Sequence, residues 1–305
     1  MKPMGGTEIL RANLEKRINP EDYGINLMTF FNHSNNLVAG KSNVLWNHQN
    51  IDQPSVVGLA DPEGVKELDG VIFVSNWQME NYRRIIDLPL EKCYVIKNAI
   101  EPIDWVEKPR DKIKLIYTST PWRGLDALLH IFEELERDDV ELHIYSSTKI
   151  YGDSFDLENK LLFTDLFQKA KGMKNVVYHG YKNNDKVRFA LQQSHILAYP
   201  STFEETSCLA VIEAASAGCG VVTTNIGALP ETSCGWADMS SMQSTLKEFS
   251  RRYIPILNNA INQYWEKYDK GIFLEQAKFF NNHYSWGNRV DRWQEVFTDI
   301  KDRQN

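Results

Sequence analysis

Two glutamates in the second half of the chain, Glu205 and Glu213, have the residue type and spacing for chemistry. They bracket the point where a polar loop passes into a predicted helix, and their separation corresponds to about two helical turns. The first N–H groups of a helix have no partner inside the helix and attract anions. We therefore predict that a phosphate docks on the backbone amides of Thr206, Ser207, Cys208 and Leu209.

A basic side chain, Arg123, stands at a predicted strand-to-helix turn and is the next chemical candidate. A cation at a helix N-terminus is mildly unfavourable unless an anion is bound there. A guanidinium beside helix-terminal N–H groups suits a diphosphate, which it can hold with two hydrogen bonds. We interpret Arg123 as a diphosphate ligand, and the alternative is a solvent-facing arginine.

Cofactor and metal chemistry find no support in the sequence. No Gly-x-Gly-x-x-Gly motif is present, so a nicotinamide cofactor is unsupported. Gly40 and Lys41 resemble part of a phosphate-binding loop, but Asn35 stands where the first glycine is required. No Asp-x-Asp occurs, and the cysteines lie far apart without metal-ligand spacing. We expect neither a metal nor a bound cofactor.

The composition is that of an ordinary globular protein, with 42% hydrophobic and 25% charged residues in a chain of 305. This length predicts two domains. The net charge of −7 argues against nucleic acid as a partner. No apolar run is long enough to span a membrane, and the N-terminus lacks the apolar segment of a signal peptide. We expect a cytoplasmic protein; peripheral membrane contact is not indicated but stays open as an alternative.

The N-terminal third of the chain alternates between predicted helices and strands. The predicted strands are Ile25–Phe31, Asn43–Trp46, Gly70–Ser75 and Cys93–Ile96. Such alternation is typical of a parallel sheet wrapped by helices. The polar connection Glu101–Asp111 contains two prolines, and we place a domain boundary within it. The predicted domains are 1–106 and 107–286.

The same alternation restarts after this boundary. The predicted strands are Ile113–Thr118, Glu141–Tyr145, Val176–Tyr178, His195–Tyr199 and a last one that contains Val221–Thr224. A predicted helix covers Leu157–Lys169. The part of the chain that follows the last predicted strand is expected to be mostly helical. The final helix, at about 287–305, is expected to pack back on the first domain. In such sheets, ligands bind outside the carboxyl ends of the strands.

The stretch from Tyr199 to Thr224 resembles a known family. Its Pro200-Ser201 pair, its spaced glutamates and its Val-Val-Thr-Thr strand are similar to the E-x7-E signature region of family 4 glycosyltransferases. The resemblance implies an α/β fold of the GT-B type, with two Rossmann-like domains whose parallel sheets face a cleft. It also implies sugar transfer from a nucleoside-diphosphate sugar, with retention of anomeric configuration and without a metal.

The resemblance also assigns roles to individual residues. It implies that Glu205, Arg123 and His48 are catalytic, that Glu213 binds the ribose, and that the acceptor lies near Gly6 and His48. The implied donor-binding residues are Gly6, Thr118, Gly180, Tyr181, Thr206, Ser207, Cys208, Leu209 and Glu213. The implied partners are a nucleotide sugar and a glycan, lipid-linked or protein acceptor.

The sequence departs from the family pattern in two places. Family members usually carry an Arg and a Lys five residues apart at the turn that holds Arg123. Here Arg123 takes the lysine position and Thr118 the arginine position, so one cation is missing. Only Met1–Met4 precede the Gly5-Gly6 pair, where the family usually has a strand. Either this strand is absent or the N-terminal domain is reduced.

Two other functions remain open at this point. A nucleotide-sugar epimerase of related two-domain architecture would need a proton-abstracting pair of residues. A non-catalytic protein that binds nucleotide sugars, or serves as a scaffold, is suggested by Thr118 and the short N-terminus. Sugar release without an acceptor would favour the epimerase, and donor binding without turnover would favour the scaffold.

Overall fold

The computed structural model describes residues 5–32 and 36–303. The described residues divide into two compact units. The N-terminal unit holds residues 6–100, 205–207 and 284–303, and the C-terminal unit holds residues 101–204 and 208–283. Met1–Met4, to which the prediction of a missing first strand refers, lie outside the described residues.

The N-terminal unit is built on a parallel sheet in the order β1-β2-β3-β4. Its strands are β1 Ile25–Met28, β2 Ser42–Asn47, β3 Gly70–Phe73 and β4 Cys93–Val95. Its first helices are α1 Gly6–Glu15, α2 Pro62–Lys66 and α3 Asn76–Arg83. The predicted strands are confirmed, but β1 ends at Met28 because Phe31 exchanges backbone hydrogen bonds with Ser55 and Gly58 instead of with the sheet.

The last helix of the chain, α13 (Trp286–Asp302), belongs to the N-terminal unit. Tyr94 donates its hydroxyl hydrogen to Asp299 Oδ2 at 2.7 Å. Trp293 packs edge-on against Trp46 of β2, with ring centroids 4.7 Å apart, and both rings are buried. Burial of two such large rings makes a major contribution to the core of this unit.

The C-terminal unit is built on a parallel sheet in the order β10-β9-β8-β5-β6-β7. Its strands are β5 Ile113–Tyr117, β6 Val140–Ile144, β7 Val176–Tyr178, β8 Ile196–Tyr199, β9 Gly220–Thr224 and β10 Ala237–Ser240. The strands predicted from the sequence are confirmed, and β10 is an additional edge strand. Both sheets are therefore of the parallel α/β type.

Helices cover this second sheet. They are α4 Leu125–Leu135, α5 Asp153–Asn159, α6 Thr164–Gly172, α7 Asn184–Gln192, α8 Leu209–Ser216, α9 Leu229–Ser233, α10 Leu246–Asn262, α11 Tyr264–Asp269 and α12 Ile272–His283. The single helix predicted over Leu157–Lys169 is wrong, because a 3-10 turn at Lys160–Phe163 separates α5 from α6. In the part of the chain that the structure describes, no helix has the length and apolar character needed to cross a bilayer.

The order in which successive strands join the second sheet reverses at β5: β6 and β7 lie on one side of it, and β8, β9 and β10 lie on the other. Strand β5 pairs with β6 on one side and with β8 on the other. At such a switch point, the connections from neighbouring strands generally leave toward opposite faces of the sheet, which places a crevice at the carboxyl ends of these strands. Crevices of this kind are where open parallel sheets bind their ligands.

The segment that links the two sheets along the chain packs on the C-terminal unit through Lys108. Its Nζ atom donates to the carbonyl oxygens of Leu191 at 2.9 Å, Gln192 at 3.1 Å and Ala217 at 2.9 Å. These carbonyls lie at the C-terminal ends of α7 and α8, where the helix dipole favours a cation. Burial lowers the pKa of Lys108, and the three hydrogen bonds compensate for the loss of water.

Candidate functional site

The turn between β5 and α4 reaches the end of β8 at Gly124. This glycine has φ of 105°, and a Cβ atom placed on it would lie 2.1 Å from the carbonyl oxygen of Pro200. A residue with a side chain would be strained by the backbone angle and would also collide with Pro200. Gly124 therefore brings the loops after β5 and β8 together at the crevice.

The close approach at Gly124 leads to a test by substitution. We expect Gly124→Ala to destabilise the protein by about 3 kcal/mol or more, because it combines left-handed backbone strain with a clash against backbone. Gly172→Ala is the matched control, since no atom lies within 4 Å of its added Cβ and its φ is not positive. Urea unfolding of both variants measures the difference. Equal stability of the two variants would show that the loops can move apart at no cost.

Arg123 lies at the same turn, within the 3-10 turn Pro121–Arg123 that precedes Gly124. Its guanidinium carbon is 4.3 Å from the ring centroid of Phe203, in a cation–π contact. Phe203 belongs to the loop that runs from β8 toward α8. The structure thus places the predicted diphosphate ligand Arg123 against the loop of the two-glutamate motif.

This loop is held in place by hydroxyl groups. Ser201 Oγ donates to the carbonyl of Phe203 at 3.0 Å and accepts from its N–H at 3.3 Å. Thr224 Oγ1, at the end of β9, donates to the carbonyl of Ser201 at 2.8 Å. Ser201 and Thr224 are buried, so these hydrogen bonds hold the start of the loop without a ligand.

The helix after this loop starts later than predicted. Cys208 is the N-cap and α8 begins at Leu209, so Thr206 and Ser207 precede the helix and Glu205 lies outside its first turn. Among the described residues, no side chain caps α8. The amides of its first turn are therefore available to an anion. Of the four amides predicted to bind phosphate, only that of Leu209 lies inside the helix.

Three hydroxyl groups at the carboxyl ends of β5 and β6 are buried without a hydrogen-bond partner among the described residues. They belong to Thr118, Thr120 and Ser146. Buried hydroxyls nearly always have a partner, so their arrangement suits a polar ligand or water. Thr118, which stands at the missing cation position, can thus contribute a hydrogen bond but no charge.

Glu213 lies in α8 and is buried, with 8% of its surface exposed. Asn184 Nδ2 donates to its Oε1 atom at 3.0 Å, and Arg188 Nη1 lies 3.3 Å from the same oxygen. Burial raises the pKa of this carboxyl, whereas the hydrogen bond from Asn184 and the charge of Arg188 lower it. Glu213 therefore already has polar neighbours that the sequence did not reveal.

The turn after β7 contains His179, Gly180 and Tyr181. Gly180 has φ of 65°, which favours glycine, and the turn follows the carboxyl end of the strand directly. The His179 ring stacks on Tyr145 with centroids 4.2 Å apart, and its Nε2 lies 3.0 Å from His143 Nδ1. These contacts fix the turn that contains the predicted donor-binding residues Gly180 and Tyr181.

Glu205 and the two residues after it group with the N-terminal unit. Glu205 is 3% exposed. Thr206 Oγ1 donates to the carbonyl of His48 at 2.9 Å, and Ser75 Oγ donates to the carbonyl of Thr206 at 2.7 Å. These bonds hold Thr206 by its side chain and by its carbonyl, and so restrain the chain next to Glu205.

His48 follows β2 and packs on Trp46, with ring centroids 4.5 Å apart. Its Nε2 atom is buried and has no hydrogen-bond partner among the described residues. Burial lowers the pKa of His48 to about 3. The ring is therefore neutral at physiological pH and can exchange hydrogen bonds with a ligand, but it cannot supply a positive charge.

The remaining predictions concern Gly6 and metal ions. Gly6 is the first residue of α1 and is exposed. Within the described residues, no group of three or more His, Cys, Asp or Glu side chains is arranged to hold a metal.

Sequence reasoning missed four residues of this region: Gly124, Phe203, Asn184 and Arg188. Asn184 and Arg188 are spaced so that they share one face of α7, which is a signal that could have paired them. Nothing in the sequence shows that this face meets Glu213. Gly124 could have been singled out as the glycine between a strand and a helix.

Comparison with known proteins identifies similar sequences. A family described as "Glycosyl transferases group 1" matches residues 104–264, which is just over half of the chain. A human subunit of phosphatidylinositol N-acetylglucosaminyltransferase is 30% identical over 75% of this chain and 46% of its own length. The GPI3 subunit of the same enzyme from Saccharomyces cerevisiae YJM789 is 26% identical over 76% of this chain and 51% of its own length. The chain thus spans about half the length of these relatives.

Solved structures share the fold at low sequence identity. Anabaena Alr3699/HepE in complex with UDP and glucose aligns with a TM-score of 0.68 at 14% identity, over 85% of this chain and 72% of that one. A glycosyltransferase from Rickettsia africae aligns with a TM-score of 0.65 at 15% identity, over 98% of this chain and 83% of that one.

Proposed function

This chain belongs to the group 1 glycosyl transferase family, the family 4 type with the GT-B fold, and from that membership we propose that it transfers a sugar from a nucleoside-diphosphate sugar to a hydroxyl acceptor. We further propose that the sugar keeps its anomeric configuration and that no metal takes part.

One observation carries this proposal: the β5–α4 turn and the loop after β8 meet at the crevice of the C-terminal sheet. Gly124 approaches Pro200, Arg123 stacks on Phe203, and Phe203 belongs to the loop that leads to the uncapped start of α8. A guanidinium and helix-terminal amides together suit a diphosphate. The buried hydroxyls of Thr118 and Ser146 provide further donors at the same sheet edge.

The chemistry of glycosyl transfer fits this set of groups. The bond between the sugar and the diphosphate breaks through an oxocarbenium-like transition state, and negative charge grows on the diphosphate. Arg123 and the α8 amides would stabilise that charge, and each such donor can contribute roughly 3 kcal/mol. Glu205 would hold the sugar hydroxyls and orient the ring, while Glu213 would accept hydrogen bonds from the ribose. His48, being neutral, would exchange hydrogen bonds near the transferred sugar.

The names of the relatives suggest which donors to test first. The human and yeast relatives are named for N-acetylglucosaminyl transfer to phosphatidylinositol, and HepE was solved with UDP and glucose. We therefore propose a UDP-linked hexose or N-acetylhexosamine as the donor class. We also propose an inositol or sugar hydroxyl on a lipid headgroup as the first acceptor class.

Donor binding and transfer can be tested together. A ligand that binds only the folded state raises the melting temperature, so a thermal-shift series with UDP-sugars, GDP-mannose and free UDP should single out the donor. NMR of the product formed with an acceptor would then show the retained anomeric configuration. Sugar released without an acceptor, as a glycal, would instead support the epimerase. A donor that binds but is never turned over would support the scaffold.

Metal independence is tested by chelation. We expect EDTA to leave transfer unchanged, because the groups proposed to stabilise the diphosphate are Arg123, hydroxyls and amides. Initial rates with and without excess EDTA, after dialysis, measure the effect. Complete loss of activity that manganese or magnesium restores would overturn this part of the proposal.

A further inference from the structure

The two side chains that hold Glu213 form a clamp, defined here as Asn184 and Arg188 of α7. Both engage the same carboxylate oxygen, Oε1, at 3.0 Å and 3.3 Å. Among the described residues, no hydrogen bond reaches the other oxygen, Oε2. One oxygen of Glu213 is thus fixed by the protein and the other remains available to a ligand.

The backbone on the far side of the clamp holds Arg188 in place. Its Nη2 atom donates to the carbonyl oxygens of Glu101 at 2.9 Å and Pro102 at 2.8 Å. With both terminal nitrogens engaged, the planar guanidinium has one orientation, which a lysine could not reproduce. The clamp is therefore preorganised without any ligand.

The charges around Glu213 explain how the clamp can affect ligand binding. Glu213 is buried, and burial favours the neutral acid, which is a poorer hydrogen-bond acceptor than the carboxylate. Arg188 is the cation that faces this carboxyl, and Asn184 adds a hydrogen bond that also favours the ionised form. A carboxylate buried without these groups would take up a proton more readily as the pH falls.

We propose that Asn184 and Arg188 are positioning residues for the nucleotide, which fix one oxygen of an ionised Glu213 and so present the other to the ribose hydroxyls. The inference rests on the proposed nucleotide-sugar site. The clamp acts through Glu213 and contacts no reacting atom, so its effect is on donor binding.

If Arg188 had a purely structural role, its removal would have a different effect. If the arginine only ties α7 to the carbonyls of Glu101 and Pro102, its removal lowers stability but leaves nucleotide affinity and its pH dependence unchanged. The pH dependence of binding therefore separates the two roles.

The test measures UDP affinity by calorimetry at pH 6 and pH 8 for the parent and four variants, with UDP as the probe; the variants are Arg188→Gln, Asn184→Ala, Lys186→Gln and Glu213→Gln. We expect Arg188→Gln and Asn184→Ala to weaken UDP binding, the former roughly tenfold at pH 6. Without the cation, the pKa of Glu213 rises, so the loss of UDP affinity relative to the parent should be smaller at pH 8 than at pH 6. Lys186→Gln is the matched control, because it removes an exposed cation from the same helix.

A carbon-13 NMR titration of the Glu213 carboxyl tests the clamp without a ligand, with Glu213→Gln assigning the signal. Arg188→Gln must raise the titration midpoint, and an unchanged midpoint would overturn the clamp whatever the ligand. If the midpoint rises but Glu213→Gln does not affect UDP binding, the ribose contact fails and the positioning role fails with it, and Asn184 and Arg188 then only keep Glu213 ionised. If Glu213→Gln weakens binding but both clamp variants match the parent, the positioning role is wrong and the proposed function stands.

Discussion

Replacing Glu205 by glutamine is expected to leave the fold intact and to lower sugar transfer by about 100-fold or more, as loss of a key electrostatic group does. Glutamine has nearly the same size, so the buried site loses charge but little packing. In our proposal, the carboxylate faces the sugar ring beside the carbon that becomes electron-poor. The charge therefore matters most in the transition state, and nucleoside-diphosphate affinity should hardly change.

The simplest alternative role for Glu205 is to cap α8. A residue that caps a helix stands at the N-cap, but the N-cap of α8 is Cys208, and Glu205 lies before it. Glu204→Gln is the matched control, because this neighbouring glutamate is exposed and loses the same charge. Melting temperature, UDP affinity and single-turnover transfer should be measured on both variants. If the Glu205→Gln protein melts at a lower temperature but transfers sugar at the parental rate, Glu205 stabilises the fold and has no catalytic role.

Truncating Arg123 to alanine is expected to lower turnover by roughly 10² to 10³, the usual cost of removing one donor from developing negative charge. The diphosphate gains charge as it leaves, so turnover should fall more than acceptor binding does. Arg123→Lys keeps the charge but loses the planar fork and the contact with Phe203, and we expect it to recover only part of the rate.

Arg252→Ala is the matched control for Arg123, since it removes an exposed arginine from α10 of the same unit. Steady-state kinetics with donor and acceptor varied separately would assign the loss to turnover or to binding. Equal kinetics in the parent and in Arg123→Ala would mean that this arginine is only a surface cation stacked on Phe203.

Much of the fold could be predicted because buried parallel strands appear as continuous apolar runs in the sequence. Strand β3, Gly70–Phe73, is buried at every position and is evident from such a run. Strand β10, Ala237–Ser240, was missed because its residues are mostly half-buried and show no apolar alternation. The break between α5 and α6 was missed because apolar residues continue through the 3-10 turn.

The sequence by itself determined most of the strands and helices, the two parallel α/β sheets and the family, because these depend on local periodicity and on a motif carried by consecutive residues. It did not determine where α8 begins or what surrounds its glutamate. Only the tertiary structure brought Gly124 to Pro200, Arg123 to Phe203, and the clamp of α7 to Glu213. It also decided the charge of His48, whose low pKa comes from burial. Such properties depend on which surfaces fold together and exclude water, and spacing along the chain does not record that.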